Sequence, residues 1–239
     1  MRPRIGLVHW KRWFVIGIGI LGLGVVAGPY VFFHFIEGKA PAPLTLTTPS
    51  TISSTTATTT SSQASVGTDE VWTVTGDSVV GYRVKEVLFG QSNEAVGRTS
   101  TVSGSMTVSG TTIANATFTV DMTTVTSDES RRDGQFNGRI METGTYPTAT
   151  FTLTQPIDLG SIPAEGEQMS LEATGALTLH GVTRSVTFQL TGQYASSTVQ
   201  VAGSIPITFA DWNISNPSFG PAQTEDNGVI EFLLDFTRA

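Results

Sequence analysis

Apolar and polar residues alternate repeatedly through residues 69–239, and this pattern limits the fold more than any other feature of the chain. In ATFTVDM, for example, Ala116, Phe118, Val120 and Met122 would share one face. A period of two places successive side chains on opposite faces of a strand, so the pattern predicts half-buried β-strands. Similar stretches lie around Phe151 and Leu153, around Leu177 and Leu179, from Val186 to Leu190, and from Ile230 to Phe236. About eight strands are expected, which suits an all-β antiparallel barrel or sandwich.

Turn-forming residue pairs separate several of these stretches. They are Ser109-Gly110, His180-Gly181 and Asn227-Gly228. Because such residues tolerate tight turns, each pair predicts a short connection between antiparallel neighbours. If the strands close into a barrel, eight of them leave room for one small ligand.

One charged stretch, SRRDGQFNGRI, interrupts the alternation. Just before it, Thr126 and Glu129 have the spacing of a capping box, in which Thr126 caps a helix and Glu129 reaches back to it. A short helix is therefore predicted to run to about Arg139, limited to two or three turns by two internal glycines. Pro147 then excludes a helical conformation for the residue before it and begins the next strand.

The N-terminal residues predict a membrane anchor. Residues 1–12 contain four basic residues and no acid, and residues 13–36, WFVIGIGILGLGVVAGPYVFFHFI, carry no formal charge. The second segment is long enough to cross a hydrocarbon core of about 30 Å. Because the basic side stays in the cytoplasm, the rest of the chain is expected outside, at the cell surface or in the periplasm.

Two alternatives accompany the predicted anchor. A cleaved signal peptide would have an apolar region of only about 7–15 residues, so a retained anchor is favoured, whereas cleavage would give a secreted domain. Gly24 and Gly28 form a G-x-x-x-G pair, which permits close helix packing and hence a homodimer.

Residues 37–68 predict a disordered linker. Of the 29 residues from Ala40 to Thr68, 16 are Ser or Thr and none is charged. This composition lacks the apolar periodicity that would offset the entropy of ordering the segment. The chain therefore divides into a cytoplasmic segment (1–12), an anchor (13–36), a linker (37–68) and one folded domain (69–239).

Charge and residue content exclude several classes of function. Residues 69–239 contain 8 basic and 19 acidic residues, a net charge of −11 that disfavours nucleic acid as a partner. The chain has no cysteine, so thiolate metal sites and disulfides are absent. The domain has one histidine, His180, and no Gly-x-Ser-x-Gly elbow. No catalytic residue, metal site or cofactor is predicted, and the protein is not expected to be an enzyme.

Three blocks of the domain resemble the YceI-like family: VWTVTGDSVVGYRVKE, SRRDGQFNGRIMETGTYPTATF and TGALTLHGVTRSVTFQL. The resemblance covers residues 69–239 and implies a lipocalin-like antiparallel β-barrel around an elongated apolar cavity. It also implies binding of polyisoprenoid or related amphiphilic lipids, isoprenoid quinones included. Gln135 stands where the family usually has His, and Ala210 where many members have Arg. These departures concern the polar head-group contacts more than the barrel.

The predicted function is that of a membrane-tethered extracytoplasmic protein that holds an isoprenoid-type lipid or quinone by apolar burial. The candidate ligand-binding residues are Tyr82, Phe118, Val120, Arg132, Phe136, Phe151, Leu153, Phe188, Trp212 and Phe232. Tyr82 and Trp212 are expected near an opening, and Arg132 either meets a polar head group or pairs with Asp133. The alternatives are an interaction or scaffold module with a filled barrel, and an enzyme that acts on a lipid head group.

Overall fold

A computed structural model describes residues 40–47, 69–88, 90–195, 197–220 and 222–239. Thirteen strands in this part of the chain form a single antiparallel sheet that closes on itself. They are β1 (Glu70–Val74), β2 (Val79–Leu88), β3 (Gln91–Thr99), β4 (Val102–Ser109), β5 (Thr112–Asp121), β6 (Thr126–Ser127), β7 (Thr148–Leu153), β8 (Ile157–Asp158), β9 (Gln168–Leu179), β10 (Val182–Ala195), β11 (Thr198–Thr208), β12 (Ala222–Thr224) and β13 (Asn227–Arg238).

Eight strands make the closed ring, in the order β1-β4-β5-β7-β9-β10-β11-β13 and back to β1. The ring closes where Trp72 pairs with Arg238 and Val74 pairs with Phe236. Strands β2 and β3 extend the same wall, because β2 pairs with the first half of β13 and β3 pairs with β2. The predicted all-β antiparallel barrel of about eight strands with one short helix is therefore confirmed.

The strand register shows which face of the sheet points inward. Phe118 of β5 pairs with Phe151 of β7, and Phe151 pairs with Leu177 of β9. Leu177 is only 4% exposed and belongs to the main hydrophobic cluster. Since paired residues share a face, Phe118 and Phe151 also point into the barrel.

The helix begins later than the capping-box pattern predicts. Thr126 pairs with Arg98 in the sheet, so its backbone is extended as part of β6. The residue that caps the helix is Glu129, whose side chain accepts a hydrogen bond from the backbone N–H of Arg131 at 3.1 Å. The prediction of Thr126 as the cap is therefore wrong, because its pairing in the sheet holds the backbone of that residue extended.

The single α-helix of the described chain, α1, spans Ser130–Gln135. It continues directly into one π-helical turn, Phe136–Ile140. The backbone N–H of Met141 donates to the carbonyl of Phe136 at 2.8 Å, and this bond closes the wider turn. The prediction that the helical segment would end near Arg139 is close to the observed boundary.

Of the three predicted turns, the structure confirms two and contradicts one. Gly110 of the pair Ser109-Gly110 has a φ of 61° and lies in the turn between β4 and β5. His180 and Gly181 connect β9 to β10 with φ values of 48° and 73°, which is the two-residue hairpin geometry. Asn227 and Gly228 instead begin β13, so the turn predicted there is wrong. Gly228 is needed for close packing, since a Cβ at this position would lie 2.9 Å from Cγ2 of Val84.

In the described part of the chain, no helix has the length and apolar character needed to cross a membrane. The basic segment 1–12, the predicted anchor 13–36 and most of the predicted linker lie outside the described residues. Residues 40–47 of that linker are described, and the segment from residue 41 to residue 47 contacts the outer wall of the barrel.

Candidate functional site

Phenylalanine rings form a connected group inside the barrel. The ring centroids of Phe151 and Phe188 are 5.5 Å apart, and those of Phe188 and Phe232 are 5.8 Å apart, both edge to face. Phe118 meets Phe236 in the same way at 5.7 Å. Each such pair stabilises the fold by about 0.5–1.5 kcal/mol beyond its apolar burial. Four of the predicted ligand-binding residues are thus held on the inner wall.

Four interior glycines each lie beneath an aromatic ring. The pairs are Gly97 with Tyr82, Gly104 with Phe118, Gly175 with Phe151, and Gly203 with Phe232. A Cβ added to Gly97 would lie 2.4 Å from Cε1 of Tyr82, and one added to Gly175 would lie 2.3 Å from Cζ of Phe151. Each ring therefore occupies the space of the missing side chain and stays close to the wall.

One wall of the interior is only partly covered by neighbouring side chains. Phe118 and Val120 on β5 and Phe151 and Leu153 on β7 all point inward, yet each is only half-buried. Leu190 on β10 is half-buried as well. A side chain that faces a close-packed core is normally buried on all sides. These residues therefore border unfilled space, which we call the lumen.

The opposite wall contains several almost fully buried residues, although Val199 and Val201 on β11 and Ile230 on β13 also face inward and are half-buried. Ile205 on β11 is 5% exposed, while Phe232 and Phe236 on β13 are 8% and 1% exposed. Strands β11 and β13 lie across the ring from β5 and β7. The barrel thus has partly accessible apolar side chains on both walls, and the most deeply buried residues of β11 and β13 stabilise it.

A polar cluster lies beneath α1, next to the ring of Tyr82. Tyr82 stacks on Phe136 with centroids 5.1 Å apart and an interplanar angle of 12°. Glu86 shares the inward face of β2 with Tyr82 and is buried. Its Oε1 lies 3.5 Å from Nη2 of Arg132 and accepts a hydrogen bond from Nδ2 of Asn93 at 3.0 Å. We call Tyr82, Glu86, Asn93 and Arg132 the polar end.

The polar end perturbs the ionisation of two of its members. Burial raises the pKa of Tyr82 above its usual value of 10.0, and the charge of Arg132 offsets part of this rise. Burial alone would lower the pKa of Arg132, but the carboxylates of Glu86 and Asp128 outweigh it and raise the pKa. Tyr82 is therefore a neutral hydroxyl and Arg132 a permanent cation at neutral pH.

The ion pairs of Arg132 differ from the pairing with Asp133 that the sequence suggests. Arg132 pairs with Asp128, one helical turn earlier, and with Glu86. Oδ1 of Asp133 instead accepts hydrogen bonds from the backbone N–H and the hydroxyl of Ser127, at 2.8 and 2.6 Å. Asp133 ties α1 to β6, whereas Arg132 ties it to the barrel interior.

Trp212, which is expected near an opening, is almost fully buried. It is 3% exposed and ends the 3-10 turn Phe209–Trp212. Its carbonyl lies 3.1 Å from Nδ1 of His180, which joins this turn to the β9–β10 hairpin. Among the described residues its indole Nε1 is buried without a hydrogen-bond partner.

Two features of the site were not anticipated. Glu86 was missed, although it lies an even number of positions from Tyr82 and Val84 and so shares their face. The glycine–aromatic pairs were also missed, because each joins two strands and depends on their register.

In the described chain, no group of three His, Asp or Glu residues is placed to hold a metal ion.

These features define an antiparallel β-barrel of lipocalin-like architecture, with an apolar lumen and a polar end. The YceI-like domain family matches residues 52–236, so the chain belongs to that family.

Two bacterial proteins are similar to parts of this chain. A UPF0312 protein of Vibrio parahaemolyticus is 34% identical over 96 residues, which are 39% of this chain and 47% of that protein. Protein YceI of Escherichia coli O157:H7 is 32% identical over 119 residues, 47% of this chain and 58% of that protein. The chain thus spans about half the length of these relatives.

A solved structure supports the fold. The polyisoprenoid binding domain from Saccharophagus degradans, implicated in plant cell wall breakdown, superposes with a TM-score of 0.58 and 22% identity. The match covers 70% of this chain and 98% of that domain.

Proposed function

We propose that the barrel holds an isoprenoid-type or similar amphiphilic lipid in its lumen. The observation that carries this proposal is the half-buried inner wall of β5 and β7, where Phe118, Val120, Phe151 and Leu153 face unfilled space. A lipid tail that covers this wall gains roughly 25 cal/mol for each Å² of apolar surface removed from water. The fold shared with a polyisoprenoid binding domain supports the same assignment.

The polar end favours a lipid with a neutral head group. Arg132 pairs with the carboxyl groups of Glu86 and Asp128, and these two groups together with Asp133 raise the pKa of Tyr82 through their charge. One arginine among three carboxyl groups disfavours a phosphate or diphosphate. A quinone or alcohol can instead exchange hydrogen bonds with the Tyr82 hydroxyl or the guanidinium of Arg132 without bringing a negative charge.

We further propose that the domain is tethered outside a membrane by residues 13–36. The uncharged length of this segment and the four basic residues before it support that arrangement. Alkaline carbonate extraction of membranes tests the anchor, and added protease tests the side on which the barrel lies. Extraction into the soluble fraction would contradict the anchor, and protection of the barrel in spheroplasts would contradict the outside location.

Native mass spectrometry of the full chain, purified from its own membranes, tests lipid binding. Leu153→Trp fills the lumen, whereas Thr152→Trp places the same bulk on the exposed outer face of the same strand. A co-purified lipid should be present in the parent and in Thr152→Trp and absent from Leu153→Trp. Lipid that persists in Leu153→Trp, or a parent without any lipid, would contradict the proposal.

Head-group preference is tested with an isoprenoid alcohol, its diphosphate and a short-chain isoprenoid quinone as added ligands. The alcohol and the quinone should bind at least about tenfold more tightly than the diphosphate, a difference of roughly 1.4 kcal/mol. Tighter binding of the diphosphate would contradict the neutral-head assignment while leaving the lumen proposal standing.

The lumen favours lipid binding over an interaction module with a filled barrel. A filled barrel would bury its inward-facing apolar residues on every wall, and Phe118, Phe151 and Leu153 are not fully buried. Catalysis on a head group is the alternative to binding alone. Co-purified lipid recovered chemically unchanged after long incubation with the protein would agree with binding alone.

A further inference from the structure

Residues 41–47, PAPLTLT, lie along the outer wall of the barrel, and we call them the strap. Nη2 of Arg83 donates to the carbonyl of Pro41 at 2.7 Å, and Nη2 of Arg98 donates to the carbonyl of Ala42. At the other end, the backbone N–H of Thr47 donates to Oε1 of Gln200 at 3.2 Å. The strap therefore contacts β2, β3 and β11.

The burial pattern of the strap indicates which side faces the barrel. Leu44 and Leu46 are half-buried, whereas the other five residues are exposed. An extended segment with this alternation turns its leucines toward the surface beneath it. The strap thus combines two apolar contacts with hydrogen bonds at both ends.

The surface beneath the strap contains charges that are buried although they lie on the outside of the barrel. Arg83 and Glu231 alternate with the inward-facing Tyr82 and Phe232, so they point outward, yet they are only 7% and 4% exposed. Side chains on an outer barrel wall are normally solvated, and charged residues are almost never buried without a partner.

An ion-pair network satisfies these buried charges. Glu231 accepts hydrogen bonds from Nε of Arg83 at 3.3 Å and from Nη2 of Arg98 at 2.7 Å. Glu94 accepts from Nη1 of Arg83 at 2.7 Å. A further N–H group of each arginine meets a strap carbonyl. Because buried charges need partners for each hydrogen-bonding group, the arginines and the strap stabilise each other.

We propose that the outer wall formed by β2, β3, β13 and β11 is a docking surface for the strap, and that docking holds the barrel close to the membrane. This proposal rests on the tethering part of the proposed function. Only residues 37–40 separate the predicted anchor from the strap, so the chain between residues 36 and 41 reaches at most about 18 Å. A free linker of 32 residues would instead have a typical span of roughly 30 Å and a far longer maximum.

Docking therefore changes which part of the Ser/Thr-rich segment sets the distance between the barrel and the anchor. Residues 48–68 connect the strap to β1, and with the strap docked their length does not set the distance between the barrel and the anchor. A lipid leaving the bilayer then has a short, defined route to the barrel.

Strap docking is tested in the full chain by electron paramagnetic resonance. The chain has no cysteine, so Thr45→Cys gives a single site for a nitroxide label. The label should be strongly restricted in this variant and in the matched control with exposed Pro43→Ser added. It should become mobile when Leu44→Ser and Leu46→Ser are combined. Equal mobility in all three proteins would overturn the docking.

Distance to the membrane is tested by energy transfer in phosphatidylcholine nanodiscs, from a donor on Thr73→Cys to acceptor-labelled lipid head groups. Transfer should fall at least about twofold when Leu44→Ser and Leu46→Ser free the longer linker. Deletion of residues 50–64 should leave transfer unchanged. The proposal would be overturned if energy transfer fell on deletion of residues 50–64, or if it did not fall when Leu44→Ser and Leu46→Ser are combined. If the parent protein contains no co-purified lipid but the energy transfer behaves as expected, the lipid-binding function is contradicted and the strap docking is not.

Discussion

Substituting Gly97 with alanine tests whether the interior rings owe their positions to the glycines beneath them. The three nearest atoms to a Cβ at Gly97 all belong to Tyr82: Cε1 at 2.4 Å, Cζ at 2.8 Å and Oη at 3.0 Å. Carbon atoms pack best at about 3.5–4.0 Å, so the ring must move by roughly 1 Å. That movement would carry the ring away from the wall and toward the lumen.

The expected loss of stability follows from what the ring contacts. Tyr82 stacks on Phe136 with centroids 5.1 Å apart, and such a pair contributes about 0.5–1.5 kcal/mol. Adding a methyl group to a packed interior typically costs about 1–3 kcal/mol. The free energy of unfolding of Gly97→Ala should therefore fall by about 1–3 kcal/mol, and each kcal/mol should lower Tm by roughly 2–4 °C.

A double-mutant cycle isolates the contact between the two residues. Urea unfolding would be followed by fluorescence for the parent, Gly97→Ala, Tyr82→Ala and the double variant. In the Tyr82→Ala background, Gly97→Ala should cost less than about half as much, because the clashing ring is gone. Gly192→Ala is the matched control, since its Cβ would meet only the carbonyl oxygen of Gln200 at 3.9 Å. Equal cost of Gly97→Ala in both backgrounds would refute the reasoning.

Three further predictions concern the polar end and the helix above it. Because burial raises the pKa of Tyr82 above 10.0, the unfolded chain loses its proton first, so stability present below about pH 10 should decline as the pH rises further. Urea unfolding between about pH 9 and 11 should show this decline reduced in Tyr82→Phe, and an equal decline in Tyr82→Phe and the parent would contradict the assignment. Glu86→Gln weakens a buried pair with Arg132 and should cost about 1–3 kcal/mol in urea unfolding, a cost under 0.5 kcal/mol arguing against it. Glu129→Ala removes the helix cap and should cost about 1 kcal/mol by thermal unfolding, with an unchanged Tm as the contrary result.

The apolar face of each strand could be read from the sequence, but which face lines the barrel could not be fixed from the pattern alone. In β5, Phe118 and Val120 alternate with threonines, and a shift of one residue would expose the whole apolar set. The alternation thus defines the two sets of side chains, and the pairing of the strands decides which set lines the interior. The structure places the predicted strand residues Phe118, Phe151, Phe188 and Phe232 on the inner face.

The contacts between strands could not be predicted in the same way. That Gly97 lies beneath Tyr82 depends on how β2 and β3 are aligned, and each strand alone carries no record of that alignment. At the start of the helix, two local structures compete for the same residue. Thr126 and Glu129 have the spacing of a capping box, but the pairing of Thr126 with Arg98 fixes an extended backbone. A local sequence pattern does not determine the backbone conformation where pairing with a distant strand satisfies the same hydrogen-bonding groups.

The two proposed surfaces lie on opposite faces of the same strands. On β2, Tyr82 faces the lumen and the next residue, Arg83, faces the strap. On β13, Phe232 faces the lumen and Glu231 binds both arginines outside. Because a close-packed wall transmits small displacements, a lipid that moves the ring of Tyr82 would be expected to shift the backbone that carries Arg83. The nitroxide at position 45 should therefore change its mobility when lipid is removed from the parent, and should not respond in Leu153→Trp, whose lumen is already filled.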